Sequence, residues 1–222
     1  MKTVAFVFAR GSSKGIPRKN ILPFAEKPLL AWSIEMALNL PEIDQVYVST
    51  DDASIAEIAR EWGAKVIDRP SELALDDSPE WLAWGHAVRY LLETIGDFEK
   101  FVSLPTTSPL RNSNDVQTCL DALDGPTDMV VTITDTSRSP WFNMVRIEKD
   151  ESLQLLLDGN YVRRQDVPEI YDLTTVAYVT RPSFILNHDR IWDGKVRGVK
   201  IPPERAIDID TPLDFKIAEF LM

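Results

Sequence analysis

Cysteine is almost absent from this chain, which excludes a disulfide-stabilised scaffold. Of 222 residues only Cys119 is a cysteine, so no intramolecular disulfide can form. A single cysteine is typical of a protein kept in a reducing compartment, and we expect a cytoplasmic location. Cys119 lies within VQTCLDAL, a predicted helix face. We therefore interpret it as a packing residue and not as a nucleophile.

Long apolar runs and an excess of positive charge are missing as well. No stretch approaches the roughly 18 apolar residues that a membrane span needs. The run TVAFVFA after Lys2 is short for a signal peptide, has no small-residue cleavage site and is followed by Arg10. The formal net charge of -11 argues against general binding to nucleic acid, which usually requires a basic face. We expect neither nucleic acid nor a membrane among the partners.

Strand-like and helix-like segments alternate along most of the chain. This rhythm predicts an α/β fold with a doubly wound, mostly parallel sheet, and the length suits a single domain over residues 1–222. The rhythm stops after about Ser137. Residues 138–173 lack long helical periodicity, and we predict an inserted, strand-rich lobe there.

A basic loop, ARGSSKGIPRKN at residues 9–20, follows the first predicted strand. Ligands of open α/β sheets bind at the carboxyl ends of strands, where this loop must lie. Glycines allow close approach, backbone N–H groups and hydroxyls can bond phosphate oxygens, and the cations offset their charge. The residues concerned are Arg10, Gly11, Ser12, Ser13, Lys14, Gly15 and Lys19. The loop matches neither a Walker A motif nor a G-x-G-x-x-G fingerprint, and a plain solvated loop is the alternative.

A second group of polar residues lies in IDIDTPLDF, residues 207–215. Asp208 and Asp210 are two positions apart in an extended segment, so both can point to one face. Two carboxylates beside a triphosphate would suit Mg²⁺ (or Mn²⁺), which prefers hard oxygen ligands. Alternatively, Asp210 belongs to the N-cap region of the last helix, which starts near Thr211 and Pro212.

Five segments, in order, carry a family resemblance: ARGSSKGIPRKN, KPLLAWSIEMAL, VYVSTDDASIAEIAREWGAKVIDRPSELA, TTSPLRNSNDV and IDIDTPLDF. Together they resemble the acylneuraminate cytidylyltransferases, the CMP-sialic acid synthetases. The resemblance implies a Rossmann-like nucleotidyltransferase fold. It also implies a reaction in which CTP and an α-keto sugar acid give a CMP-sugar and pyrophosphate.

The resemblance assigns roles to individual positions. Arg10, Ser13, Lys14 and Lys19 match residues that hold the CTP phosphates, and Asp208 and Asp210 match the metal ligands. Asn20 matches a cytosine contact and Arg69 another contact on the nucleotide side. We expect Arg10, Lys19 and the two aspartates to be catalytic. Thr106 and Gln165 lie in matching segments and, with Ser78, complete the expected substrate-binding set. Ser78 is also the predicted N-cap of the long helix that follows it.

The segment RRQDVPEIYDLTTVAYV resembles the part of the family that follows its dimerisation excursion. Arg164 aligns with an arginine that reaches the sugar site of the partner subunit. A homodimer with shared active sites is therefore implied. The alternative is that Arg163 and Arg164 form an ordinary surface pair near Asp166.

Three departures from the family pattern fall around the sugar pocket. Pro105 replaces a glutamine that serves the sugar, Glu80 replaces a serine, and Thr174 with Thr175 replaces an Asn-Gly pair. Because a hydrogen-bonding site discriminates against ligands that leave its polar groups unpaired, we expect an acceptor other than N-acetylneuraminate. Legionaminic- or pseudaminic-type acids are the first candidates. A plain surface position for Glu80, in the first turn of a helix, is the alternative.

Three other functions stay open at this point. A cytidylyltransferase for a shorter keto-sugar acid such as Kdo would have a basic opening loop, but without the SKG-x-P-x-KN spacing. A glycosyltransferase could use an Asp-x-Asp pair, though usually in mid-chain. A non-catalytic CTP-binding module would not need both aspartates in addition to the complete basic loop.

Overall fold

A seven-stranded mixed sheet organises the chain in the computed structural model, which describes residues 2–222 and, for Arg164, the backbone alone. The strands are β1 Thr3–Phe8, β2 Pro23–Phe24, β3 Lys27–Pro28, β4 Gln45–Thr50, β5 Lys65–Asp68, β6 Lys100–Ser103, β7 Met129–Asp135, β8 Val145–Ile147, β9 Leu153–Leu155, β10 Tyr171–Thr180 and β11 Val196–Lys200. The α-helices are α1 Leu29–Leu38, α2 Ala53–Glu61, α3 Glu80–Thr94, α4 Ser113–Ala122, α5 Pro182–Asn187 and α6 Pro212–Leu221.

The sheet is parallel except around one strand. Its order is β11-β7-β10-β6-β1-β4-β5, and β10 runs antiparallel to both of its neighbours. The other neighbouring pairs in this sheet are parallel. The predicted fold class, an α/β protein with a mostly parallel mixed sheet flanked by helices, is confirmed.

The two faces of the sheet bury different kinds of side chain. Helices α1, α2 and α4 cover an aliphatic face, and α3 and α5 cover a face rich in aromatic rings. On the aromatic face, Phe6 stacks on Phe101 with ring centroids 4.5 Å apart. Cys119 is fully buried on the aliphatic face, where desolvation raises the pKa of its thiol to about 12. The predicted packing role of this cysteine is confirmed, because such a thiol is not a reactive thiolate.

Some local predictions were wrong. Ser78 does not cap α3, which begins at Glu80 with Pro79 at the N-cap position and no side-chain cap. Helix α5 and the small β2–β3 hairpin were not predicted. At the other end of the chain, Thr211 is the N-cap of α6 and forms a capping box with Asp214. Asp210 therefore lies outside that helix.

Residues 138–173 contain short strands and turns. β8 and β9 form an isolated antiparallel hairpin, in which Ile147 pairs with Leu153. A 3-10 turn, Arg164–Asp166, precedes β10. The side chains of the hairpin are exposed over its full length, unlike those of the main sheet.

One edge of the main sheet gathers the predicted site. The basic loop follows β1, Asp51 follows β4, Arg69 follows β5, and Pro105 with Thr106 lies just beyond β6. Because β10 is antiparallel, the first half of that strand reaches the same edge. Within residues 2–222 none of the helices has the length and apolarity required to cross a bilayer.

Candidate active site

The opening loop lies so close to the chain just before α6 that one position excludes any side chain. A Cβ atom added at Gly15 would lie 2.0 Å from the carbonyl oxygen of Asp210. At the start of the loop, the Gly11 N–H donates to Oδ1 of Asp51 over 3.0 Å. The glycines therefore fix the loop against neighbouring backbone and carboxylate groups. This is the close approach that the sequence predicted for them.

Lys19 and Asn20 connect the end of the loop to other parts of the edge. The Lys19 ammonium donates to the Ile209 carbonyl and lies 3.2 Å from Oδ1 of Asp210. Asn20 is buried, donates to the Arg10 carbonyl over 3.0 Å and accepts from the Thr106 hydroxyl over 2.6 Å. Both side chains thus hold the loop in place, and Lys19 does so next to a carboxylate.

Arg10 and Lys14 converge on a carboxylate that the sequence analysis missed. Asp76 lies 2.8 Å from Arg10 Nη1 and 3.2 Å from Lys14 Nζ. Arg10 also donates to the Leu75 carbonyl over 3.2 Å. Two cations that share one anionic group are arranged as a phosphate would require. The sequence gives no sign of this role for Asp76, because its contacts join residues more than 60 positions apart.

These residues line a cavity of about 250 Å³, called here the loop cavity. Its polar lining includes Arg10, Ser13, Lys14, Lys19, Asn20, Thr106 and Asp210. Seven predicted site residues therefore meet in one place. Ser12, in contrast, is exposed and is not among the lining residues.

A second cavity of about 270 Å³, called here the side cavity, shares Phe8 and Arg10 with the first. Arg69 lines it and is buried, with Nε 3.2 Å from the Ser49 hydroxyl and Nη2 2.5 Å from the Ser49 carbonyl. The guanidinium lies 5.6 Å from the centroid of the Phe8 ring. Desolvation lowers the pKa of Arg69, and the negative charges of Glu80 and Asp51 oppose this shift.

Glu80 and Ser78 supply the other polar groups of the side cavity. Glu80 is exposed as a residue, and its carboxyl group, which accepts from Trp84 Nε1 over 3.0 Å, belongs to a side chain that lines this cavity. Desolvation raises the pKa of this carboxyl, against the Trp84 hydrogen bond and the charge of Arg69. The Ser78 hydroxyl oxygen is buried and has no hydrogen-bond partner among the described residues. A plain surface position therefore does not describe Glu80.

Asp208 and Asp210 lie on either side of the buried Ile209, whose N–H donates to the Thr107 carbonyl over 2.8 Å. Desolvation is the largest cause that raises the pKa of Asp208, and the charge of Asp210 adds to it. The hydroxyls of Thr107 and Thr175 face the carboxyl group and oppose this shift, as does Lys19. Oδ1 of Asp208 is buried without a hydrogen-bond partner in the part of the chain described.

An orphaned carboxylate oxygen beside a second carboxylate fits a divalent cation. No cluster of three or more Asp, Glu, His or Cys side chains suited to a metal is found within residues 2–222. A cation held by this pair would therefore need oxygens from elsewhere, such as phosphates or water. The loop cavity, which Asp210 lines, is where phosphates would be available.

Several predicted substrate contacts lie outside both cavities, namely Gly11, Ser12, Pro105, Gln165 and Thr174. The Pro105 carbonyl accepts from the Ser33 hydroxyl over 3.2 Å and from the buried Arg111 guanidinium. These two hydrogen bonds fix the backbone of the turn after β6. Gln165 is exposed in the turn before β10. The Arg164 side chain, also predicted to contact substrate, lies outside the described atoms, whereas Arg163 forms a two-bond ion pair with Asp166.

The prediction that Thr174 contacts the substrate needs a correction. It is buried, and its hydroxyl donates to that of Thr132 over 2.7 Å. Thr175 instead lies 2.8 Å from the Ser108 hydroxyl and faces Asp208. Adjacent strand residues point to opposite faces, so only one of the pair can face the site. That residue is Thr175.

Comparison with known proteins agrees with this geometry. A family model described as cytidylyltransferase matches residues 4–214. The chain belongs to the cytidylyltransferase family. It is 32% identical over 220 residues to the post-translational flagellin modification protein B of Campylobacter coli, covering 97% of this chain and 93% of that protein.

Two further proteins are similar over nearly their whole length. The CMP-N,N'-diacetyllegionaminic acid synthase of Campylobacter jejuni is 32% identical over 220 residues, with 97% of this chain and 93% of that protein covered. The structure of a CMP:2-keto-3-deoxy-manno-octonic acid synthetase complexed with CTP matches with a TM-score of 0.75 at 18% identity. It covers 100% of this chain and 98% of that one, and it shows the same fold. The resemblance to sugar-acid cytidylyltransferases is confirmed.

Replacing Gly15 with alanine should disable the loop without unfolding the chain. The new Cβ would meet the Asp210 carbonyl, so the loop must move away from the carboxylate pair. A displacement of about 1 Å can cost about a hundredfold in turnover. We expect a loss of that order in CTP-dependent pyrophosphate release. Gly125→Ala, where nothing lies within 4 Å of the added atom, is the control and should be neutral. Normal activity in Gly15→Ala would show that the contact is dispensable.

Replacing Asp76 with asparagine should strengthen triphosphate binding. The variant removes the anion that competes for Arg10 and Lys14, and each such exposed pair is worth about 0.2–1 kcal/mol. Calorimetric titration with CTP should show binding about two- to fivefold tighter, with a smaller gain at high salt. Asp77→Asn, one residue on, serves as the matched control. Weaker binding in Asp76→Asn would mean that Asp76 supports the nucleotide instead of competing with it.

Proposed function

We propose that this chain transfers CMP from CTP to the anomeric hydroxyl of a sialic-acid-like nonulosonic acid and releases pyrophosphate. The observation that carries the proposal is the loop cavity, in which three cations, Arg10, Lys14 and Lys19, line the wall together with Asp210 at the carboxyl edge of the sheet. Family membership over residues 4–214 supports the same reaction. A non-catalytic CTP-binding module would have no use for the second aspartate.

The residues divide the chemistry between them. Arg10, Lys14 and Lys19 would bind the triphosphate and stabilise the charge that develops on the leaving pyrophosphate. Asp208 and Asp210 would hold Mg²⁺ or Mn²⁺, which supplies Lewis-acid stabilisation of the phosphoryl oxygens when bound. Positioning then contributes much of the remaining acceleration, because the sugar oxygen has to attack the α-phosphorus in line.

The acceptor is proposed to be a nine-carbon acid of the legionaminic type. The Campylobacter jejuni relative, 32% identical, is named as a CMP-N,N'-diacetyllegionaminic acid synthase. The replacements at Pro105 and Glu80 already argued against N-acetylneuraminate. The Kdo alternative rests on a solved structure of the same fold that is only 18% identical. The lone buried cysteine is compatible with a cytoplasmic reaction, which we also propose.

A homodimer would cover the exposed apolar surface of the β8–β9 hairpin. Both strands of the β8–β9 hairpin expose their side chains, with Ile147 at 74% and Leu153 at 63% exposure. An isolated two-stranded hairpin is marginal in water, and a contiguous apolar surface of this kind marks an interface. In the family that the chain resembles, the arginine that aligns with Arg164 reaches the sugar site of the partner subunit. We therefore propose shared active sites.

Asp208→Asn and Asp210→Asn should each abolish most metal-dependent turnover. Loss of one of two carboxylate ligands removes several kcal/mol of transition-state stabilisation, so pyrophosphate release should fall by about a hundredfold or more. The assay is Mg²⁺-dependent pyrophosphate release from CTP with a panel of nine- and eight-carbon keto-sugar acids. Glu57→Gln, on the exposed face of α2, is the control. Near-normal turnover in both aspartate variants would refute the metal assignment.

Charge placed in the hairpin should dissociate the proposed dimer. Ile147→Asp and Leu153→Asp alter cross-strand partners on the same exposed surface. Sedimentation velocity should show a dimer for the unmodified chain and a monomer with much reduced turnover for either variant. Phe220→Asp, at an 89% exposed position of α6, should stay dimeric. A fully active monomeric wild-type chain would exclude shared sites.

A further inference from the structure

We infer that the buried Arg111 is a positioning residue, which places the Asp208 carboxylate by fixing the turn at residues 105–108. The inference rests on the proposed function in one respect: Asp208 and Asp210 hold the metal ion. Arg111 is 6% exposed and lines neither the loop cavity nor the side cavity. It therefore has to act through the residues that it holds and not by touching the substrate.

The Arg111 guanidinium forms a closed ring of hydrogen bonds with Ser33 and Pro105. Nη1 donates to the Ser33 hydroxyl over 2.8 Å, and Nη2 donates to the Pro105 carbonyl. The Ser33 hydroxyl donates in turn to the same carbonyl over 3.2 Å. A planar guanidinium binds two acceptors in one fixed geometry. The first peptide group of the turn is therefore held rigidly against α1, the helix that carries Ser33.

The next two residues of the turn connect it to the aspartate segment. The Thr107 carbonyl accepts from the N–H of Ile209, the residue between the two aspartates, over 2.8 Å. The Ser108 hydroxyl lies 2.8 Å from that of Thr175. The hydroxyls of Thr107 and Thr175 both face the Asp208 carboxyl group. A shift of the turn would therefore be passed to Asp208 through its backbone and through its hydroxyl neighbours.

A guanidinium buried at this place is costly, and the charges near it indicate what it serves. Desolvation lowers the pKa of Arg111 to about 9, against the charges of Asp115 and Asp208. Nε of Arg111 also lacks a hydrogen-bond partner among the described residues. Asp115 already receives two hydrogen bonds of 2.9 Å from Arg205. Neutralising Asp115 therefore does not require Arg111, whereas the turn and Asp208 depend on it.

The basic loop depends less on this turn than the aspartates do. One hydrogen bond joins them, from the Thr106 hydroxyl to Asn20 over 2.6 Å. The start of the loop has a separate anchor, because the Gly11 N–H donates to Asp51 over 3.0 Å. Loss of Arg111 should therefore displace the metal-binding side of the site more than the phosphate-binding side.

CTP binding measured with and without Mg²⁺ separates these two sides. Titration calorimetry in Mg²⁺ and in EDTA gives the factor by which the metal tightens CTP binding, with no sugar acid present. In Arg111→Met this factor should fall by about tenfold or more, the usual effect of removing a residue that orients metal ligands. The affinity for CTP in EDTA should change much less. Turnover with saturating substrates should fall by at least the same factor.

Arg205→Met is the matched control, since it removes the other guanidinium that faces Asp115. It leaves a buried carboxylate without its ion pair, so the unfolding temperature should drop while the Mg²⁺ factor stays the same. Arg111→Lys keeps the charge without the planar fork and should restore part of the factor. If Arg111→Met does not fold, Ser33→Ala, which opens the ring at one member, should lower the factor to a smaller extent.

An unaltered Mg²⁺ factor in folded Arg111→Met, or in Ser33→Ala where Arg111→Met does not fold, would overturn the inference. Equal losses of CTP affinity in Mg²⁺ and in EDTA would overturn it as well, because they indicate a general effect on the fold. A lowered factor in a chain whose wild type turns over no sugar acid would uphold the inference and refute the proposed transfer reaction. Wild-type CTP binding that is indifferent to Mg²⁺ would refute both the metal assignment and the inference.

Discussion

The contact between the opening loop and residues 209–210 is the constraint on which the rest of the site depends. Lys19 reaches across 190 positions of sequence to the Ile209 carbonyl and the Asp210 carboxylate. Gly15 lies against the backbone of the same residue. The proposed phosphate-binding cations and the proposed metal-binding carboxylates could act on one phosphorus atom only if these two segments touch. The missing Cβ of Gly15 and the reach of the Lys19 side chain together make that possible.

Charge balance explains how the loop is held in its conformation. In a chain with a net charge of -11, carboxylates outnumber the cations. Asp51 binds the backbone of the loop, Asp76 binds Arg10 and Lys14, and Asp210 binds Lys19. The pairs of Arg10 and Lys14 with Asp76 are at least partly exposed and individually weak, so an anion with several charges could displace them. The acidic surroundings thus hold the loop by contacts that an incoming polyanion could replace.

The sequence was sufficient to predict what depends on local pattern. The alternating elements, the basic loop and the Asp-x-Asp pair follow from spacing and residue type, and the sheet brings them to one edge as expected. The predictions that failed concern strand register and contacts between residues that are distant in the sequence. Thr174 and Thr175 are equivalent in the sequence, but the pairing of β10 with β7 shifts register between Thr174 and Tyr178. Pairing with Thr132 then buries one threonine and leaves the other facing Asp208.

The role of Asp76 could not be predicted for a related reason, and it links the two cavities. Residues 71–80 form one short segment that carries Asp76, bound to the phosphate loop, and Ser78 and Glu80, which line the side cavity. The pairs of Asp76 with Arg10 and Lys14 therefore join this segment to the loop, while the hydrogen bond from Trp84 holds Glu80 at the start of α3. An anion that competes for Arg10 and Lys14 in the loop cavity would thus act on a segment that also lines the side cavity, so one short stretch of chain links the two cavities.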